Sequence, residues 1–222
     1  MKQPVIAIDG PAGAGKSTIA KLLAKKLNFL YIDTGAMYRA LAHKVIKQGI
    51  DPKKKARVAD LASETNILLT VNANGKSCVF LDGEDVTKAI RTPEVTMLVS
   101  SVAMIPDVRL NLVKHQREMA SAGGVVMDGR DIGTYVLPDA EIKFFLTASL
   151  EERAKRRYLE LVTQGFNVEL KDISNELLVR DSMDENRALA PLKQAEDAIL
   201  IDTTNFSIED VLATMTSYWS GK

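Results

Sequence analysis

Cysteine is nearly absent from this 222-residue chain: Cys78 stands alone. That excludes an internal disulfide and a cysteine-rich zinc site, and it fits a reducing compartment. A small strand residue packed inward accounts for Cys78 itself. Net charge is missing too. Twenty-nine Lys and Arg balance twenty-nine Asp and Glu, so no global field draws the chain to a nucleic-acid polymer or an anionic membrane. Any phosphate it binds must be held by local clusters. No apolar stretch approaches the roughly 18 residues of a membrane span. The four apolar residues before Asp9 are too few for the hydrophobic region of a secretory signal, and a cytoplasmic location is expected. The two histidines, His43 and His115, lie far apart in amphipathic segments and read as surface or packing residues, not as bases or metal ligands.

Apolar residues, by contrast, make up 46% of the chain, enough for one large domain or one domain with small insertions. Residues 4–8 form a β-branched apolar run that passes through a glycine-rich stretch into helical periodicity at 17–27. The pattern recurs with a strand at 29–32 and a helix at 36–47. Further buried-strand candidates lie at 125–127, 142–146 and 199–201, and a closing helix at 207–218 has Ser207 as its N-cap. Strands alternating with helices predict a parallel sheet covered on both faces.

One region departs from this pattern. Segments 67–71, 77–81 and 85–90 are divided by Asn74 and Gly75 and by Asp82 and Gly83, two hairpin signals that predict a small antiparallel three-stranded insertion. Helices are expected at 96–103 and 108–121, with Pro106 between them as a breaker. No repeat, low-complexity tract or linker divides the chain. A single domain is expected, with core 1–62, 92–149 and 188–222, an insertion at about 63–91 and a lid at about 150–187.

Gly10, Pro11, Ala12, Gly13, Ala14, Gly15, Lys16 and Ser17 satisfy G-x-x-x-x-G-K-[ST] between a strand and a helix. Glycines let successive backbone N–H groups turn around the phosphates of ATP, and the helix N-terminus adds positive potential. Lys16 would reach the β- and γ-phosphates, and Ser17 would supply a hydroxyl to Mg²⁺. With Thr18, these residues form the expected ATP site. Asp128 closes a predicted strand, where a carboxylate orients magnesium through water; a turn or helix cap is the other reading.

Phosphate on both donor and acceptor calls for further cations, and arginine is the favoured one. Arg180, Asp184 and Arg187 stand at i, i+4 and i+7 of a predicted helix and so share a face. Arg153, Arg156 and Arg157 form a second group, which a solvated face paired with Glu151, Glu152 and Glu160 explains equally well. Gln164, Gly165 and Phe166 separate the two helices as a hairpin turn. Arg39, Arg109 and Arg130 each follow turn or helix-start chemistry near a predicted element end.

Together with the phosphate loop, residues 33–39, 90–95, 100–109, 129–133 and 180–187 resemble, in order and over nearly the whole chain, the bacterial-type cytidylate kinases. The resemblance implies five parallel core strands, an acceptor-side insertion of about thirty residues and a short lid. By position, it implies an acceptor site of Thr34, Arg39, Ser100, Arg109, Arg130, Asp131, Arg180, Asp184 and Arg187. In it Arg39, Arg130, Arg180 and Arg187 hold phosphates, Asp184 holds the ribose, and Ser100, Arg109 and Asp131 face the cytosine. Lys16, Arg130, Arg180 and Arg187 would be catalytic; Arg153 and Arg157 match lid arginines only loosely. The implied substrates are ATP with Mg²⁺ and CMP or dCMP, handled by a monomer. A kinase for shikimate or gluconate would need fewer arginines. A GTP-dependent switch would need an Asn-Lys-x-Asp motif, which the chain lacks. A nucleotide-binding module without turnover is the remaining alternative.

Overall fold

A computed structural model of the chain describes residues 3–72 and 77–220. Its strands are β1 (Gln3–Asp9), β2 (Leu30–Asp33), β3 (Ile67–Val71), β4 (Ser77–Leu81), β5 (Glu84–Asp85), β6 (Gly123–Asp128), β7 (Ile142–Thr147) and β8 (Ile199–Asp202). Its α-helices are α1 (Lys16–Leu27), α2 (Thr34–Lys47), α3 (Lys55–Ser63), α4 (Pro93–Ala103), α5 (Pro106–Ala120), α6 (Leu150–Thr163), α7 (Leu170–Asn186) and α8 (Ile208–Ser220). A five-stranded parallel sheet runs in the order β2-β6-β1-β7-β8, and a separate three-stranded antiparallel sheet runs β3-β4-β5. The chain divides into two compact units, one of the described residues up to Tyr31 and from Ala122 on, the other of residues 32–121.

In the first unit, β1 and β6 are buried along nearly their whole length, as befits central strands covered on both faces. The register pairs Ile8 with Asp128 and Asp9 with Phe145, which sets Asp9 and Asp128 at the carboxyl edge of neighbouring strands. Ile19, Ala20, Leu23 and Ala24 of α1 pack with Ile6, Ile8, Val126, Phe144 and Leu146 of the sheet and with Val211 and Met215 of α8. Each large side chain buried this fully contributes roughly 1.5–3 kcal/mol. α1 ends where Asn28 turns left-handed at φ 56° and Phe29 N–H returns to Ala24 O at 2.9 Å. As the sequence predicts, Ser207 caps α8: its Oγ accepts from Asp210 N–H at 3.1 Å. α6 and α7 form the expected hairpin around Gly165, at φ 88°, over an apolar seam of Ala12, Ala154, Leu161, Ile173 and Leu177.

The second unit has its own core, in which Met37, Leu41 and Val45 of α2 pack with Val58 and Leu61 of α3, Val79 and Leu81 of β4, and Val99, Val108 and Leu112 of α4 and α5. Pro93 and Pro106 open α4 and α5, where the missing N–H costs nothing. Pro106 therefore starts a helix as well as breaking one. No single described helix is long and apolar enough to cross a membrane; α4 and α5 reach that length only as a pair bent by 99°, and both give their apolar faces to this core.

Asp82 and Gly83 both take positive φ, 49° and 88°, as the hairpin signal requires. The Asn74–Gly75 signal lies outside the described residues. The third segment, expected as a strand over 85–90, pairs only at Glu84 and Asp85. The reason is side-chain competition: Asp85 Oδ1 accepts from Thr87 N–H, and Thr87 Oγ1 accepts from Val79 N–H, each at 2.9 Å. Val86 N–H still reaches Val79 O at 2.9 Å; beyond it these bonds take the backbone out of the ladder, and the chain turns into a 3-10 helix at Ala89–Arg91.

Candidate active site

The phosphate loop leaves β1 at Gly10. Its φ is 141°, and a Cβ there would lie 1.9 Å from Leu146 O, so only glycine fits. Gly13 is held as tightly: its φ is 80°, and an added Cβ would meet Arg153 Cβ at 2.9 Å. α1 opens after Gly15 with no side-chain cap and no acidic residue in its first turn. By contrast, Ser149 caps α6, whose first turn holds Glu151 and Glu152. An uncapped helix start behind a glycine loop is an anion site.

Lys16 Nζ donates to Pro11 O at 2.6 Å. Burial, and then the charge of Arg130, pushes its pKa well below the ordinary lysine value, against the pull of Asp128, Asp9 and Asp184. Ser17 Oγ donates to Asp128 Oδ2 and Tyr31 OH to Asp128 Oδ1, each at 2.7 Å. No cluster of three or more His, Cys, Asp or Glu suited to a metal occurs among the described residues. The Ser17 and Asp128 pair suits an ion that takes few protein oxygens and completes its shell with phosphate and water.

A second group forms where α7 ends. Arg130 Nε donates to Asp184 Oδ2 at 2.9 Å. Burial opposes the Arg130 charge, but Asp184, Asp128 and Asp181 outweigh it and raise its pKa. Arg187, expected on the same helical face as Arg180 and Asp184, lies one residue beyond the helix, at ψ 143°. That extended turn carries its guanidinium to 3.2 Å from Asp131 and 3.8 Å from Asp184, while its Nε donates to Ala190 O at 2.6 Å. Arg180 stays on α7, half-buried, one turn before Asp184.

The second unit carries the rest of the implied acceptor set. Thr34 opens α2 behind Asp33, whose Oδ1 accepts from Ala36 N–H at 2.9 Å and pairs with Arg39 at 3.3 Å. Ser100 is buried on α4. Arg109 is wholly buried, with its Nη1 3.4 Å from Ala103 O and its guanidinium 5.5 Å from the centre of the Tyr38 ring.

A solvated face fails for Arg153. It is buried, and it donates to Ala12 O at 3.0 Å and to Asp181 at 2.6 Å. Arg156 and Arg157 do pair with Glu152 and Glu160, though Arg156 also reaches Thr203. Sequence reasoning missed Tyr31 and Asp9. Asp9 carried the same signal as Asp128, an acid closing a buried strand, whereas nothing local marks Tyr31.

An uncapped helix behind a glycine loop, a buried lysine at its mouth and a hydroxyl joined to a strand-end carboxylate are what phosphoryl transfer requires, and they place the chain among the P-loop kinases. The family described as cytidylate kinase matches residues 6–220. A cytidylate kinase of Caldicellulosiruptor bescii is 55% identical over 212 residues, covering 96% of this chain and 93% of its own; one of Bacillus licheniformis is 51% identical over 210 residues, covering 95% and 93%. The solved structure of an uncharacterized protein from Eubacterium ventriosum shares the fold, with a TM-score of 0.54 at 15% identity over 99% of this chain and 100% of that one. The chain belongs to the cytidylate kinase family.

Proposed function

We propose that this protein transfers the γ-phosphoryl group of ATP to CMP, and to dCMP, releasing ADP with CDP or dCDP, as a cytoplasmic monomer that uses Mg²⁺. The observation that carries this reading is the Arg130, Asp131, Asp184 and Arg187 cluster in the unit that bears the uncapped phosphate loop.

Residues 10–18 take the phosphates of ATP, and Lys16 exchanges its bond to Pro11 O for the β- and γ-phosphate oxygens. Ser17 and, through water, Asp128 would hold Mg²⁺, which would supply positive charge to the phosphates of ATP. Arg130, Arg180 and Arg187 neutralise the transferred group and, with Arg39, the acceptor phosphate. Asp184 takes the ribose, with Thr34 also on the acceptor. Ser100, Arg109 and Asp131 take the cytosine. The acceptor is already an anionic oxygen, so positioning and charge neutralisation do the work of a base.

ADP release with Mg·ATP, measured over CMP, dCMP, UMP, AMP, GMP and shikimate, tests this reading. CMP and dCMP are expected to support turnover. The Asp131 carboxylate, as an acceptor, suits the cytosine N4 amino group and repels the uracil O4. UMP then loses about 2–4 kcal/mol, or roughly thirty- to a thousandfold in kcat/KM. Asp131→Asn narrows that gap, because the amide can present either an oxygen or an NH₂ group. Comparable use of CMP and UMP by the wild type, or an unchanged preference in the variant, removes Asp131 as the base reader.

The insertion and the lid are expected to close when both nucleotides are bound, since water in the site would hydrolyse ATP. Amide exchange in residues 63–72, 77–91 and 150–187 should therefore slow with CMP and ATP together. Unchanged exchange would make these segments static structure.

A further inference from the structure

β1 ends in a buried carboxylate that no step above uses. Asp9 Oδ1 accepts from Ile132 N–H and Asp9 Oδ2 from Gly133 N–H, each at 2.7 Å. The preceding carbonyl, Ile8 O, accepts from Gly129 N–H at 3.0 Å. Two successive residues of β1 therefore hold both ends of the turn that carries Arg130 and Asp131, and the next residue, Gly10, begins the phosphate loop.

The N–H groups of Ile132 and Gly133 open a π-helical turn, Ile132–Val136, in which Asp131 occupies the N-cap position and makes no capping bond. An aspartate at such a position ordinarily turns back to accept from the second or third N–H, and the second here is that of Gly133. Here Asp9 takes the Gly133 N–H, together with that of Ile132, from the neighbouring strand, and the Asp131 carboxylate pairs instead with Arg187. The fit is close: a Cβ on Gly133 would lie 3.4 Å from Asp9 Oδ2 and 3.0 Å from Lys143 Cδ. Burial raises the Asp9 pKa to about 7 even though both N–H donors and Lys16 favour its charge. The two N–H bonds offset part of the cost of burying this carboxylate.

We propose that Asp9 is a positioning residue for the acceptor base: by capping the turn from β1 it keeps the Asp131 carboxylate out of the cap and on Arg187, the orientation in which it meets cytosine, and so sets the preference for CMP over UMP. This rests on the reading of Asp131 as the base reader.

The test is Asp9→Asn, assayed at about pH 8, where the wild-type carboxylate is ionised. Asparagine keeps the shape but offers one acceptor oxygen and sets an NH₂ group against the other N–H. KM for CMP should rise about tenfold, the loss of one charge-assisted bond, and the CMP to UMP ratio in kcat/KM should fall about as much. KM for ATP responds as well, because the Asp9 charge bears on Lys16; the CMP to UMP ratio, which an effect on ATP alone leaves unchanged, is therefore the deciding quantity. A lowered melting temperature with both CMP quantities unchanged would make Asp9 purely structural and overturn the proposal. Should Asp9→Asn fail to fold, Asp9→Ser, which keeps a single small acceptor toward the two N–H groups, decides by the same two quantities. Asp131→Asn is measured alongside. If it leaves base preference unchanged, the base reading is what fails, and Asp9 is then judged on KM for CMP alone.

Discussion

Lys16→Ala is expected to abolish turnover, by a factor of about a thousand or more in kcat, because Lys16 is the one cationic side chain within loop residues 10–18 and meets the charge developing between the β- and γ-phosphates. The fold should survive the loss. Lys16 is buried with a single backbone acceptor, Pro11 O, and its neighbourhood already disfavours its charge. Removing a desolvated ammonium relieves a cost that the free enzyme bears. The melting temperature of the variant should therefore equal or exceed that of wild type while ADP release with CMP disappears. Near wild-type phosphotransfer would remove the phosphate-loop assignment, and an unfolded variant would make Lys16 a structural residue.

Arg180→Ala and Arg187→Ala should each lower kcat by on the order of a thousandfold, the usual effect of losing an arginine that neutralises a transferring phosphoryl group. Their effects on stability should differ. Arg187 is buried against Asp131 and Asp184 and also holds Ala190 O. Its loss leaves the buried Asp131 without that partner and should cost on the order of 3 kcal/mol of stability. Arg180 is half-buried on a helix flank, and its truncation should cost less. Steady-state kinetics and thermal melts on both variants check this pairing. A variant that melts earlier with kcat intact would place its arginine in the structure alone.

Much of this was legible before any coordinates, wherever the chemistry is local to the backbone. The glycine loop is an example: its left-handed residues, the helix behind it and the lysine at its end lie within a few positions of one another. The cap at Ser207, the turn at Asp82 and Gly83 and the apolar faces of α1 and α2 belong to the same kind. Even the antiparallel insertion was visible through its turn signals, although its third strand was shortened by the side-chain bonds of Asp85 and Thr87.

Tertiary structure decided which charges meet. Asp9 finds its two N–H partners 123 and 124 residues away, Tyr31 finds Asp128 across 97, and Arg153 finds Asp181 across 28. Periodicity reports which face of an element is apolar but says nothing of the register in which two strands pair or of which polar end comes to lie beside which. Thus Arg153 reads as a solvated helical cation until the packing of α6 against the phosphate loop buries it, and Arg187 reads as helical until α7 ends one residue too soon. By itself the sequence determined a phosphate loop on a parallel sheet and a supply of arginines for a second phosphate. The pairing of β1 with β6 and β7, and the end of α7, determined where each charge would sit, because those positions follow from long-range packing that no local stretch of the chain encodes.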